Sequence, residues 1–133
     1  MAMSDASDYL SGAIKRGDIF RLRKLLESGA NADVQYLYGW RPLMMAAGTG
    51  NTAIIKLLLG RGAQVNAVNA FGCSPLAYAA LEGRIRAIRC LLAAGASVEV
   101  RPHGVSLLQF AQAGGGRFRT QRHFVLLVEA GAT

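Results

Sequence analysis

Two stretches of the chain, GWRPLMMAAGTGN from Gly39 to Asn51 and GCSPLAYAALEGR from Gly72 to Arg84, place Gly, Pro-Leu, Ala-Ala and Gly at matching offsets. The Gly-Ala pairs that follow fix the register: Gly29, Gly62 and Gly95 stand 33 residues apart, and Gly131 opens a fourth pair. Self-similarity at such a period is the mark of a repeat architecture, in which each unit is one supersecondary element that cannot bury its apolar face alone. The fixed letters then read as architecture and the drifting ones as candidates for function.

Before each Gly-Ala pair runs an apolar helical pattern: Ile19, Leu22, Leu25 and Leu26, then Ile55, Leu58 and Leu59, then Ile85, Ile88, Leu91 and Leu92. This spacing predicts one buried face per helix, with Arg86 and Arg89 off that face in solvent. A shorter helix rich in small residues (Ala13, Ala46-Ala47, Ala79-Ala80) is expected ahead of each. Small side chains let neighbouring helices approach closely, which places this layer inside a stack. Asp8, Ser74 and Ser106 are read as caps of the shorter helices, with Pro75 in the first turn, whereas Arg41-Pro42 keeps the proline and lacks the cap. Asp18 and Asn51, each after a turn glycine, cap the longer helices. Helix, turn, helix, loop recurs four times, and the fold class is all-α.

The segments RPLMMAAGTGN…IIKLLLGRGAQVNA and SPLAYAALEGR…AIRCLLAAGASVEV resemble the ankyrin repeat, a 33-residue unit with a T-P-L-H-x-A signature. The resemblance covers nearly the whole chain, strongly over residues 36–101. It implies an all-α ankyrin-repeat solenoid of helix-turn-helix units with β-turn or loop fingers, one domain over residues 4–133, with repeats at about 4–35, 36–68, 69–101 and 102–133. Residues 1–3 are read as a disordered start or as cloning residues. The signature Thr is replaced by Arg41 and Ser74 and the His by Met44 and Ala77, which puts in question the hydrogen bonds that link adjacent loops in this family. Gly104 to Gly131 spans 27 residues where the two preceding units have 23, so the extra residues near AGGGRFRTQRH should lengthen the turn of the fourth unit. Val125 stands where Lys56 and Arg89 stand earlier, and an apolar outer face there suggests that more sequence follows or that a partner covers the end.

The chain has 133 residues, 52% hydrophobic and 17% charged, which suits one folded domain and not a disordered segment. A net charge of +7 favours an acidic partner without naming one. MAMSDASD has no apolar run after a basic start, and no stretch approaches the ~20 apolar residues of a membrane span. A soluble intracellular protein, cytoplasmic or nuclear and without membrane contact, is expected. Cys73 and Cys90 lack CxxC or His partners at ligand spacing, so neither a metal nor a disulfide framework is expected. His103 and His123 sit in separate irregular segments with no nucleophile and base arrangement around them, so neither catalysis, a cofactor nor a small-molecule substrate is expected.

GGGRFRTQRH, from Gly114 to His123, looks like a phosphate-cradling loop but lacks the Gly-Lys-Ser/Thr of a P-loop and reads first as a flexible loop. Seven arginines from Arg84 to Arg122 face one acid, Glu99, and Phe118 lies between Arg117 and Arg119. That gives a second reading in which Arg117, Arg119 and Arg122 bind nucleic acid or another polyanion.

In the ankyrin family, the loop tips and short helices form a concave surface that binds other proteins. By resemblance, the variable tip positions here are Leu37, Tyr38 and Trp40, then Ala70, Phe71 and Cys73, then His103 and Val105. On the short helices they are Met45, Gly48 and Thr49, then Tyr78, Leu81 and Glu82, with Lys15 and Arg16 in the first unit. Tyr38, Trp40, Met45, Phe71 and Tyr78 are the expected apolar anchors, joined by Leu81, while Lys15 and Arg16 favour an acidic residue on the partner. In the competing reading the tip aromatics only pack on neighbouring loops, and Met44 only fills core. The chain is therefore expected to be a non-catalytic scaffold or adaptor that grips a partner protein or peptide. The alternatives are a polyanion binder, a structural segment of a longer array, and an inhibitor that occludes a kinase or another enzyme. Small four-repeat cell-cycle kinase inhibitors are similar in size, although they shorten a helix in their second unit, the most regular one here.

Overall fold

The computed structural model describes residues 6–114 and 122–133, and among them the only regular elements are helices. They come in pairs: α1 (Ala6–Arg16) with α2 (Ile19–Glu27), α3 (Pro42–Thr49) with α4 (Thr52–Gly60), α5 (Pro75–Leu81) with α6 (Ile85–Ala93), and α7 (Leu107–Ala113) with α8 (Arg122–Glu129). The two helices of each pair pack on each other. Across pairs, α1, α3, α5 and α7 stack in one layer and α2, α4, α6 and α8 in a second.

The first layer is close-packed because its contact positions are small: Ala46, Ala47, Ala79 and Ala80 are fully buried. Between the layers lie Leu22, Ile55, Leu58, Ile88 and Leu91, also fully buried, each contributing about 1.5–3 kcal/mol relative to an exposed side chain. The expected caps form at Asp18, Asn51, Ser74 and Ser106, whose side chains accept from the backbone N–H groups of Arg21, Ile54, Ala77 and Gln109. Ser106 and Gln109 complete a reciprocal capping box. Asp8 is a correction: α1 starts at Ala6, so Asp8 lies within the helix, and in this unit the first helix is the longer, 11 residues against 9.

The loops between pairs form three tips. Leu37–Gly39 makes a 3-10 turn closed by Tyr36 N–H donating to the Trp40 carbonyl at 2.7 Å. Asn69 N–H donates to the Cys73 carbonyl in the same way at 3.0 Å, and Pro102–Gly104 makes the third tip. Adjacent tips are joined by main-chain bonds: Ala70 N–H to the Tyr38 carbonyl at 2.8 Å, and His103 N–H to the Phe71 carbonyl at 2.7 Å. Ser97 N–H also donates to Asn66 Oδ1 at 2.8 Å. Adjacent tips are therefore linked by groups that do not depend on the missing Thr and His side chains.

Glycine is required where the tips meet. Gly39 and Gly72 have φ of 77° and 74°, and a Cβ on Gly72 would lie 2.8 Å from the Arg101 carbonyl oxygen. Arg41, in the place of the signature Thr, turns back to pair with Asp33 at 2.8 Å. Its Nε is buried without a hydrogen-bond partner. Most of the extra length of the fourth unit falls in residues 115–121, outside the described residues, and Val125 and Val128 are exposed on α8.

Candidate functional site

The tips hold their aromatic residues in a row. Tyr38 precedes Gly39 in the left-handed region, φ 59°, and His103 precedes Gly104 at φ 51°. For a residue with a side chain this conformation costs on the order of 1 kcal/mol or more, and here the inter-tip hydrogen bonds hold it in place. Ring centroids run from Tyr38 to Phe71 at 5.7 Å, from Phe71 to His103 at 5.3 Å, and from His103 to Phe110 on α7 at 5.7 Å. Tyr38 is 60% exposed and Leu37 beside it 76%, while Phe71 and Val105 are exposed to a lesser degree.

Trp40 behaves differently from Tyr38. It is half-buried and stacks on Tyr78 at 4.4 Å with the planes 28° apart, bridging the first tip to α5. The Tyr78 hydroxyl accepts from Asn69 Nδ2 at 2.8 Å, and burial pushes its pKa from 10.0 up to about 12. Burial likewise raises the pKa of the Cys73 thiol, which sits beneath the second tip, while a hydrogen bond with Tyr78 lowers it.

Asn69 organises this corner. Its Oδ1 accepts from Phe71 N–H at 3.0 Å and Cys73 N–H at 3.1 Å, which fixes the second tip while Nδ2 fixes Tyr78. It was not among the expected site residues, although Asn two positions before Phe71 and three before Gly72 is a turn-starting signal. His103, a tip position not counted among the anchors, proves to be the link between Phe71 and Phe110.

Not all the expected residues converge. Tyr38 meets Phe71 and Trp40 meets Tyr78, and these four occupy the tips and the adjoining part of α5. Met45 is half-buried along α3, and Leu81 is half-buried at the far end of α5, where a Cβ on Gly114 would run into its carbonyl oxygen. Lys15 and Arg16 are exposed in the last turn of α1, at the turn end of the first layer, whereas Trp40 lies at the start of α3. Arg117 and Arg119 lie outside the described residues, and Arg122 is exposed at the start of α8. The other arginines of that stretch lie on different surfaces. Arg84 donates from Nε to the Gly48 carbonyl at 3.0 Å, Arg86 and Arg89 are on α6, and Arg101 is in the third tip.

Among the described residues no group of three His, Cys, Asp or Glu could hold a metal ion, and no helix is long and apolar enough to cross a membrane. The stacked helix pairs and hydrogen-bonded tips define a helical repeat protein. The family model for ankyrin repeats (3 copies) matches residues 10–102, and the chain belongs to the ankyrin-repeat family. It is similar to ankyrin repeat, SAM and basic leucine zipper domain-containing protein 1. The Mus musculus protein is 36% identical over 56 residues, which are 42% of this chain and 12% of the relative. The Rhinolophus ferrumequinum protein is 43% identical over 53 residues, 40% of this chain and 11% of the relative. The chain thus matches only a small part of these much longer relatives.

Proposed function

We propose that this chain is a non-catalytic scaffold or adaptor, a single interaction domain that binds a partner protein or peptide across its tips and the first helix layer. The observation that carries the reading is the row of aromatic side chains at the tips, with Tyr38 kept outward in a left-handed conformation. An exposed ring in a costly backbone conformation is what a contact surface needs and what packing alone does not require. Trp40 and Tyr78 support the row from beneath. Lys15 and Arg16, at the other end of the first layer, would meet an acidic part of a partner long enough to cross the layer.

The test is capture from nuclease-treated lysate with the wild-type chain and Tyr38→Ala in parallel, read by quantitative mass spectrometry. A hot-spot ring should cost about 2 kcal/mol in binding when truncated. A protein should therefore be recovered with the wild type and lost with the variant, while the two chains unfold at similar urea concentrations. Equal recovery of every protein would remove the tips as the site.

A further inference from the structure

We propose a second binding site on the opposite layer, a groove between α4 and α6 that takes an acidic protein segment carrying aliphatic side chains. The groove has a volume of about 640 Å³. Leu59 of α4 and Cys90 of α6, both half-buried, give it an apolar floor, and Lys56, Arg86 and Arg89 stand around it. Ala93 at the end of α6 and Ala94 just after it, both exposed, present only methyl groups at its edge.

Its charge is one-sided. Lys56, Arg86 and Arg89 are exposed, no carboxylate lines the groove, and none of the three has an ion-pair or hydrogen-bond partner among the described residues. Three like charges around one depression repel each other until an anion sits among them. Two are arginines, whose planar forks match carboxylate geometry.

The floor decides which anion. It offers no aromatic ring on which a nucleic-acid base could stack, and its apolar surface contributes nothing to a compact phosphate. A polypeptide that alternates carboxylates with aliphatic side chains satisfies both parts, the cations at the rim and the apolar surface between them. This site is independent of the tip surface, so a chain using both would hold two partners on opposite layers.

The groove supplies its own reporter, because Cys90 lines it at intermediate exposure while the other cysteine, Cys73, is buried. A random peptide library displayed on phage would be selected on the wild-type chain and counter-selected on the Lys56→Glu, Arg89→Glu double variant. The expected pool is rich in Asp and Glu interspersed with Leu, Ile and Val. A synthetic peptide from it, at about ten times its Kd, should slow maleimide alkylation of Cys90 by about tenfold. Its binding should weaken with added salt and be unchanged in Tyr38→Ala.

A pool without acidic bias overturns the proposal, as does a selected peptide that leaves Cys90 alkylation unchanged. Protection of Cys90 by inositol hexakisphosphate or a single-stranded oligonucleotide as strong as by the peptide also overturns it, and reassigns the groove to polyanions. Should the reversed variant lose its folded circular dichroism spectrum, Lys56→Gln with Arg89→Gln serves as the counter-selection target.

Discussion

Asn69 is 6% exposed and divides its side-chain amide among three partners: two backbone N–H groups of its own tip and the hydroxyl of Tyr78. The same corner carries two acidic groups whose neutral forms are favoured by burial, the Cys73 thiol and the Tyr78 phenol. Well below pH 9 both are protonated in the folded and unfolded chain, and they add no pH dependence. Above it the unfolded chain loses these protons first, so it binds fewer than the folded chain and stability falls as pH rises. The fall should set in around the ordinary thiol value of 9.0, and the part due to Tyr78 should run from its ordinary 10.0 to about 12, where the folded phenol ionises. Urea midpoints across that window should decline for the wild type and decline less for Cys73→Ala with Tyr78→Phe. Parallel slopes would place the alkaline sensitivity elsewhere. At this scale the sequence was partly legible. Tyr38, Phe71 and Tyr78 stood out as aromatic residues at variable positions, but the half-burial of Trp40 depends on Tyr78, a residue of the next unit, which no local pattern reveals.

The helices show why the fold was more legible than the site. Caps and apolar spacing are local, and Asp18, Asn51, Ser74 and Ser106 announce helix starts within four residues of sequence. Asp8 misled because it too is followed by an apolar residue, although the helix had already begun at Ala6. Seven- and eight-residue helices such as α5 and α3 are too short to persist alone, so their stability must come from the layer they are stacked in. Ala79 is fully buried in α5, which packs against α3 on one side and α7 on the other. Ala79→Leu should therefore cost about 1–3 kcal/mol by overpacking, measured as a lowered urea midpoint. An unchanged midpoint would mean that the first layer is loose enough to absorb the added volume. Arg86 and Arg89 read correctly as exposed residues of α6, but the groove between them and Lys56 belongs to the pairing of α4 with α6 and has no sequence signature.

Across the whole molecule, the units are joined by the layers and by the tip-to-tip main-chain bonds. Gly72 sits at one of these joints, close against the Arg101 carbonyl, and its φ of 74° is one that a residue with a Cβ adopts only under strain. Gly72→Ala should loosen the joint between the second and third tips. Hydrogen exchange at the His103 amide, which donates to Phe71, should rise sharply while that of the Ala70 amide changes little. A uniform rise across both joints would instead indicate one cooperative row. Along the aromatic row the ring centroids lie 5.7 and 5.3 Å apart. An α-helix advances about 5.4 Å per turn, whereas two residues of an extended strand advance about 6.6 Å. Under the tip contact proposed above, a helical ligand laid along Tyr38, Phe71 and His103 would match these ring spacings with one side chain per turn more closely than a strand would with alternate residues.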